Sequence, residues 1–266
     1  MCGDGLGCAS RCEPRQKQPA IKRGCAGELA NGKFGDMEQT RIAVLGVYRS
    51  GSTVIAGVLH HLGVDMGSPF FEGFYESAKV SEQLRRWWNE PYLRERVGQA
   101  KRIRVLAEWI RERESGGPKW VGLKHPLLSL SCEDLVQAWG EETRFIRCCR
   151  PIEDSIDSLK RLGRTVEGEA IQRALLATLD RFFEGREHLA IEFADMMSNP
   201  RHEIERLRDY LQIPADPEKL AAAVRFVEPG ARSKVEREQG ERLSVVPGFK
   251  RRGLWGSLRK AVLSHH

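Results

Sequence analysis

RIAVLGVYRSGSTVIAGVLHHLG, residues 41–63, decides how this chain folds. Arg41 to Gly46 is a short apolar run closed by glycine, which reads as a buried strand. Val54, Ile55, Val58, Leu59 and Leu62 then recur at helical spacing, so a helix starts near Thr53 and ends before Gly63. Between them GVYRSGST, Gly46 to Thr53, forms a glycine-bounded loop at a helix N-terminus. Such a loop offers backbone N–H groups and the positive end of a helix dipole to an anion, with the Ser50, Ser52 and Thr53 hydroxyls as further donors. The reading is a phosphate cradle, although the same letters also suit an ordinary strand-to-helix turn. A Walker A loop would carry lysine where Ser52 stands, and the available cation is Arg49 instead.

Outward from this unit, strand and helix signals alternate. Two charged, tryptophan-bearing helical stretches follow, VSEQLRRWW and EPYLRERVGQAKRIRVLAEWIRERE, and then a strand over residues 119–124. A helix around CEDLVQAWG, a strand over 144–149 and a helix opened by Pro151 come next. A helix over about 167–184 leads to a strand over 189–194, and helices near 202–212 and 217–226 close the series. This order predicts an α/β fold, a P-loop-like three-layer sandwich whose central parallel sheet is flanked by helices. Ligands gather at the carboxyl ends of such strands, and those ends read Arg49, Lys124 and Arg150.

Length and charge bound the rest. The 266 residues suit one main domain with appendages, here residues 37–228, and Met37 could itself be the natural start. Residues 1–36 lack an apolar period and read as a loose tail, while 229–266 form a basic segment that completes or docks on the same domain. The 43 basic against 37 acidic residues give a net charge of +6, enough for an anionic ligand but not the dense stripe of a nucleic-acid binder. With no membrane-length apolar run and no secretory h-region, the expected location is cytoplasmic. Seven cysteines, an odd number, fit reduced thiols; Cys132, Cys148 and Cys149 read as packing residues, and Cys2, Cys8, Cys12 and Cys25 match no zinc spacing. No metal is expected.

YRSGST resembles the loop with which the sulfotransferase family binds the 5′-phosphosulfate of 3′-phosphoadenosine 5′-phosphosulfate, the donor that the family shares. A second family signature pairs a strand-end arginine with a serine eight residues on, and CRPIEDSIDSLKR supplies Arg150 and Ser158 at that spacing. GFYES, residues 73–77, is similar to the segment that places a carboxylate, here Glu76, near the acceptor, and GLKHP, 122–126, to the one that places Lys124 beside the sulfuryl group. KRRGLWG is similar to a motif that clamps the 3′-phosphate, here through Arg251, Arg252, Gly253 and Gly256. The matches span about residues 38–256.

The resemblance implies cofactor binding by Arg49, Ser50, Gly51, Ser52, Thr53, Arg150, Ser158, Arg251, Arg252 and Gly253, and catalysis by Arg49, Lys124 and either Glu76 or His125 as base. Glu76 ranks ahead, because a histidine after a strand is often a hydrogen-bonded packing residue. His60 and His61 read as a solvated helix edge. Transfer would go to a hydroxyl or amine on a small molecule, lipid or carbohydrate. A P-loop kinase or NTPase, and a nucleotide-binding module without turnover, remain as alternatives. The basic amphipathic segment around Leu254, Trp255, Leu258 and Val262 could instead dock on its own domain or touch a membrane surface.

Overall fold

A computed structural model describes residues 39–71, 74–89, 93–161 and 166–227; both the expected tail and the C-terminal basic segment lie outside these. Strand β1 (Thr40–Leu45) and the Gly46–Gly51 loop lead into α1 (Ser52–His61). Helix α2 (Ala78–Trp87), a hairpin of β2 (Trp88–Asn89) and β3 (Arg94–Glu95), and α3 (Gln99–Glu114) follow. Then come β4 (Trp120–Lys124), a 3-10 turn (Pro126–Leu130), α4 (Cys132–Trp139), β5 (Arg144–Cys149), α5 (Ile152–Lys160) and α6 (Val166–Phe183). The described part ends with β6 (Leu189–Glu192), α7 (Phe193–Ser198), α8 (Pro200–Tyr210) and α9 (Pro217–Val227).

Four strands form one parallel sheet in the order β4-β1-β5-β6. β1 is central, with Ala43 opposite Leu123 on one side and Phe145 on the other. Because side chains alternate across a strand, Ala43 and Leu45 enter one core and Ile42 and Val44 the other. The first core lies under α2, α3, α4 and α6, through residues such as Leu84, Trp109, Trp139 and Leu175. The second lies under α1, α8 and α9, through Val54, Leu207 and Phe226. Helices on both faces and all-parallel pairing give the three-layer α/β sandwich that the alternation predicted.

Polar struts lock the first layer. Trp109 and Trp139 stack at 5.7 Å, their indole N–H groups donating to Ser77 Oγ and to Leu106 O. Buried Arg102 pairs with Asp134 at 2.6 Å and also with Glu95, which ties the hairpin to α3 and α4.

Three local expectations change. Within the stretch expected to be helical from Glu90, Arg94–Glu95 form strand β3, and helix begins only at Gln99. The sequence places Pro91 in this stretch, and a proline offers no N–H to a helix. The strand expected to reach Ala194 stops at Glu192, its last partner being Cys149, and Phe193 opens α7. His60 and His61 are not merely a solvated edge: His60 leans on Phe70 and Tyr75, and His61 on Phe226 with its Nε2 buried. Among the described residues, no helix is long and apolar enough to cross a membrane.

Candidate active site

The loop after β1 stands at the carboxyl edge of the sheet, where the segment 46–53 was expected to hold an anion. Its backbone is unusual twice: Arg49 has φ 64 and Gly51 φ 93. Side-chain-bearing residues seldom adopt such angles, and successive left-handed and right-handed residues curl amide N–H groups into an anion-sized concavity. Gly51 is required for a second reason. A Cβ on it would stand 2.4 Å from Cδ2 of Phe193, the residue at which the sheet ends and α7 begins.

Protein donors hold the carbonyls of the loop. Ser129 Oγ donates to Gly46 O (3.3 Å), the Ser50 amide to Val47 O (3.3 Å), Gln172 Nε2 to Tyr48 O (2.6 Å) and Arg150 Nη1 to Arg49 O (3.1 Å). Arg49 reaches across to α5, its Nε donating to Ser158 Oγ at 3.0 Å. Arg150 lies over the Phe193 ring, 4.8 Å from its centroid, so Arg49, Arg150 and Ser158 sit together around one loop. Ser50 Oγ, Ser155 Oγ and Arg150 Nε are buried and form no hydrogen bond within the protein, although Arg150 Nε lies 4.0 Å from Asp154 Oδ2. Buried polar atoms normally form hydrogen bonds, so Ser50 Oγ in the loop and Arg150 Nε beside it suit an anionic ligand with several oxygens. Ser52 is buried at the head of α1, and Arg251, Arg252 and Gly253 lie outside the described residues.

Lys124, the last residue of β4, is 2% exposed. Its ammonium donates to Thr53 Oγ1 (2.9 Å), Glu76 Oε1 (2.7 Å) and Phe74 O (3.4 Å), which joins the first turn of α1 to Glu76. Glu76 stands just before α2, where Phe71 N donates to its carbonyl at 2.7 Å. Burial alone would raise its carboxyl pKa, but Lys124 first, and then His125 and Arg85, outweigh that and hold it below the ordinary value. His125 accepts the Leu127 amide on Nδ1 (3.0 Å). In the neutral ring the proton therefore sits on Nε2, which points at Glu76 Oε2 from 3.6 Å. The geometry makes Glu76 the lone-pair bearer, with His125 Nε2 beside it at more than hydrogen-bond distance.

No protein-family model matches the sequence, and no curated protein matches it. Among solved structures, the chain is similar to the sulfotransferase STF9 from Mycobacterium avium, at 16% identity and a TM-score of 0.54, over 73% of this chain and 68% of that one. The chain has a sulfotransferase fold. The sulfotransferase STF1 from Mycobacterium tuberculosis H37Rv (14% identity, TM-score 0.47, 76% of each chain) and an unliganded sugar kinase from Janibacter sp. HTCC2649 (20% identity, TM-score 0.43, 66% of this chain and 95% of that one) are also similar.

Within that sulfotransferase fold, three contributors were not singled out in the sequence. Phe193 closes the loop from below, and Ser129 and Gln172 hold its carbonyls. Gln172 alone left a signal, as a polar residue on the inner stripe of a helix otherwise filled by Ile171, Leu175 and Leu179.

Proposed function

We propose that this protein is a sulfotransferase that moves a sulfuryl group from 3′-phosphoadenosine 5′-phosphosulfate to a hydroxyl or amine. The observation that carries the reading is the left-handed Arg49–Gly51 loop, set against the buried Thr53–Lys124–Glu76 chain at one edge of the sheet. When bound, the donor supplies an activated sulfuryl group and a bisphosphate leaving group. The loop amides and the head of α1 would hold the 5′-phosphate. Arg150 and Ser155, whose buried Nε and Oγ form no hydrogen bond within the protein, together with Ser158 suit the 3′-phosphate. Arg251, Arg252 and Gly253 would complete that clamp, and a small molecule, lipid or carbohydrate would carry the accepting group.

Transfer of this kind spreads charge over equatorial oxygens, so catalysis rests on fixed positive charge and positioning. Lys124 supplies such charge beside Thr53, and Arg49 supplies more. Glu76 takes the acceptor's proton on Oε2, since Oε1 is engaged by Lys124. His125, with its proton on Nε2, orients that carboxylate rather than serving as the base.

A thermal-shift panel tests the proposal. Adenosine 3′,5′-bisphosphate at ~100 times its dissociation constant stabilises a protein by about 2.7 kcal/mol through binding alone, and it should do so here without magnesium. A melt that moves with ATP and magnesium but not with the bisphosphate would overturn the reading in favour of a kinase.

A further inference from the structure

Among its described residues, helix α6 buries one polar side chain among apolar ones. Ile171, Leu175, Leu179, Phe182 and Phe183 fill the first core, and Gln172 is 0% exposed beside them. A buried amide is costly unless both its ends are bonded. Here Nε2 donates to Tyr48 O, and Oε1 has no partner. An apolar side chain of the same length would occupy the place without that orphan. Core packing therefore does not account for a glutamine, and its single bond to the loop does.

What the bond achieves follows from peptide geometry. The Tyr48–Arg49 peptide is trans, so its C=O and N–H point in opposite directions. Holding Tyr48 O against α6 turns the Arg49 N–H away from α6 and fixes the plane that precedes the left-handed φ of 64 at Arg49. Conformations of that kind persist only where the surroundings over-determine them. Arg150 grips the next carbonyl, Arg49 O, so the two peptides that flank Arg49 are clamped from two places, α6 and the turn between β5 and α5.

We infer that Gln172 is a positioning residue: from behind the loop, it clamps the Tyr48–Arg49 peptide in the orientation that presents the cradle to a 5′-phosphate. The inference rests on the reading of this loop as the donor's phosphate site. Gln172 acts through the backbone, so its removal should leave the fold largely intact and weaken the loop's grip. In Gln172→Met the lost bond to Tyr48 O is offset by the removal of the orphaned Oε1, which keeps the melting point near that of the unchanged protein. Gln172→Asn keeps both polar groups but falls one methylene short of Tyr48 O, and it serves as the milder second variant.

Calorimetry on the full chain with two probes separates positioning from general damage. Adenosine 3′,5′-bisphosphate engages the loop through its 5′-phosphate, whereas adenosine 3′-monophosphate has nothing for the loop to hold. Both variants should bind the bisphosphate about tenfold more weakly, the worth of one good hydrogen bond, and the 3′-monophosphate as before. Unchanged binding of both probes, or equal loss on both, would overturn the inference. An unchanged protein that binds no bisphosphate would instead remove the sulfotransferase reading beneath it.

Discussion

Replacing Lys124 by methionine gives the sharpest test of the buried pair. The change removes the ammonium that contacts Thr53, Phe74 and Glu76 and leaves the Glu76 carboxylate inside the protein with only His125 and Arg85 to favour its charge. Removing one partner of a buried ion pair costs about 3–5 kcal/mol, which at 2–4 °C per kcal/mol for a domain of this size lowers Tm by about 6–20 °C. The pH dependence should also change sign. In the unchanged protein the Glu76 carboxyl lies below its ordinary 4.5, so its contribution is present above that value and is lost as pH falls through the lowered one. Without Lys124, burial, the largest single influence on this carboxyl, should raise it above its ordinary value. Stability is then fully present below 4.5 and is lost as pH climbs through the raised value, so Lys124→Met should regain stability between pH 7 and 4.5. Urea denaturation at several pH values measures this, with Lys124→Met/Glu76→Gln closing a double-mutant cycle. Additive single effects, or a variant with the same pH slope as the parent, would refute the argument.

Other outcomes follow from the same geometry. Arg150→Ala should weaken adenosine 3′,5′-bisphosphate by about one to two orders of magnitude in calorimetry, with a much smaller change for the 5′-monophosphate, because its buried Nε forms no hydrogen bond within the protein. Glu76→Gln should lower turnover by about 10²-fold or more with bisphosphate affinity held, whereas His125→Gln, which removes a donor and not the base, should lower it far less; the reverse order in steady-state rates would exchange their roles. Gly51→Ala must place a Cβ at φ 93 and 2.4 Å from the Phe193 ring, and should lower unfolding free energy by about 2–4 kcal/mol in urea titration.

The alternation of apolar runs with helical spacing was enough to read the layers. RFIRCC forms β5 over the whole span expected, and Gly46 and Gly51 bound the loop as their letters suggested. What sequence order could not supply was contact between distant residues. Lys124 was visible as a strand-end cation, but its commitment to Glu76 and Thr53 joins three segments far apart in the chain. The tautomer of His125 depends on the Leu127 amide, a local turn that its letters do not announce. Trp88 reads as helical until Pro91 is weighed against it, and Phe193 reads as strand until the close approach of Gly51 is known. At Phe193 tertiary packing overrode a short-range preference.

The central place of β1 governs the order in which this protein can assemble. Thr40 finds its neighbour in Trp120 and Ile42 its other neighbour in Arg144, so β1 waits for both flanks until β4 and β5 have been synthesised. Contacts between residues so distant in sequence form slowly, because a long loop must close before pairing repays its entropy. Until then Ile42, Ala43, Val44 and Leu45 carry an unpaired apolar edge, the kind of surface that draws chaperones or self-association during synthesis.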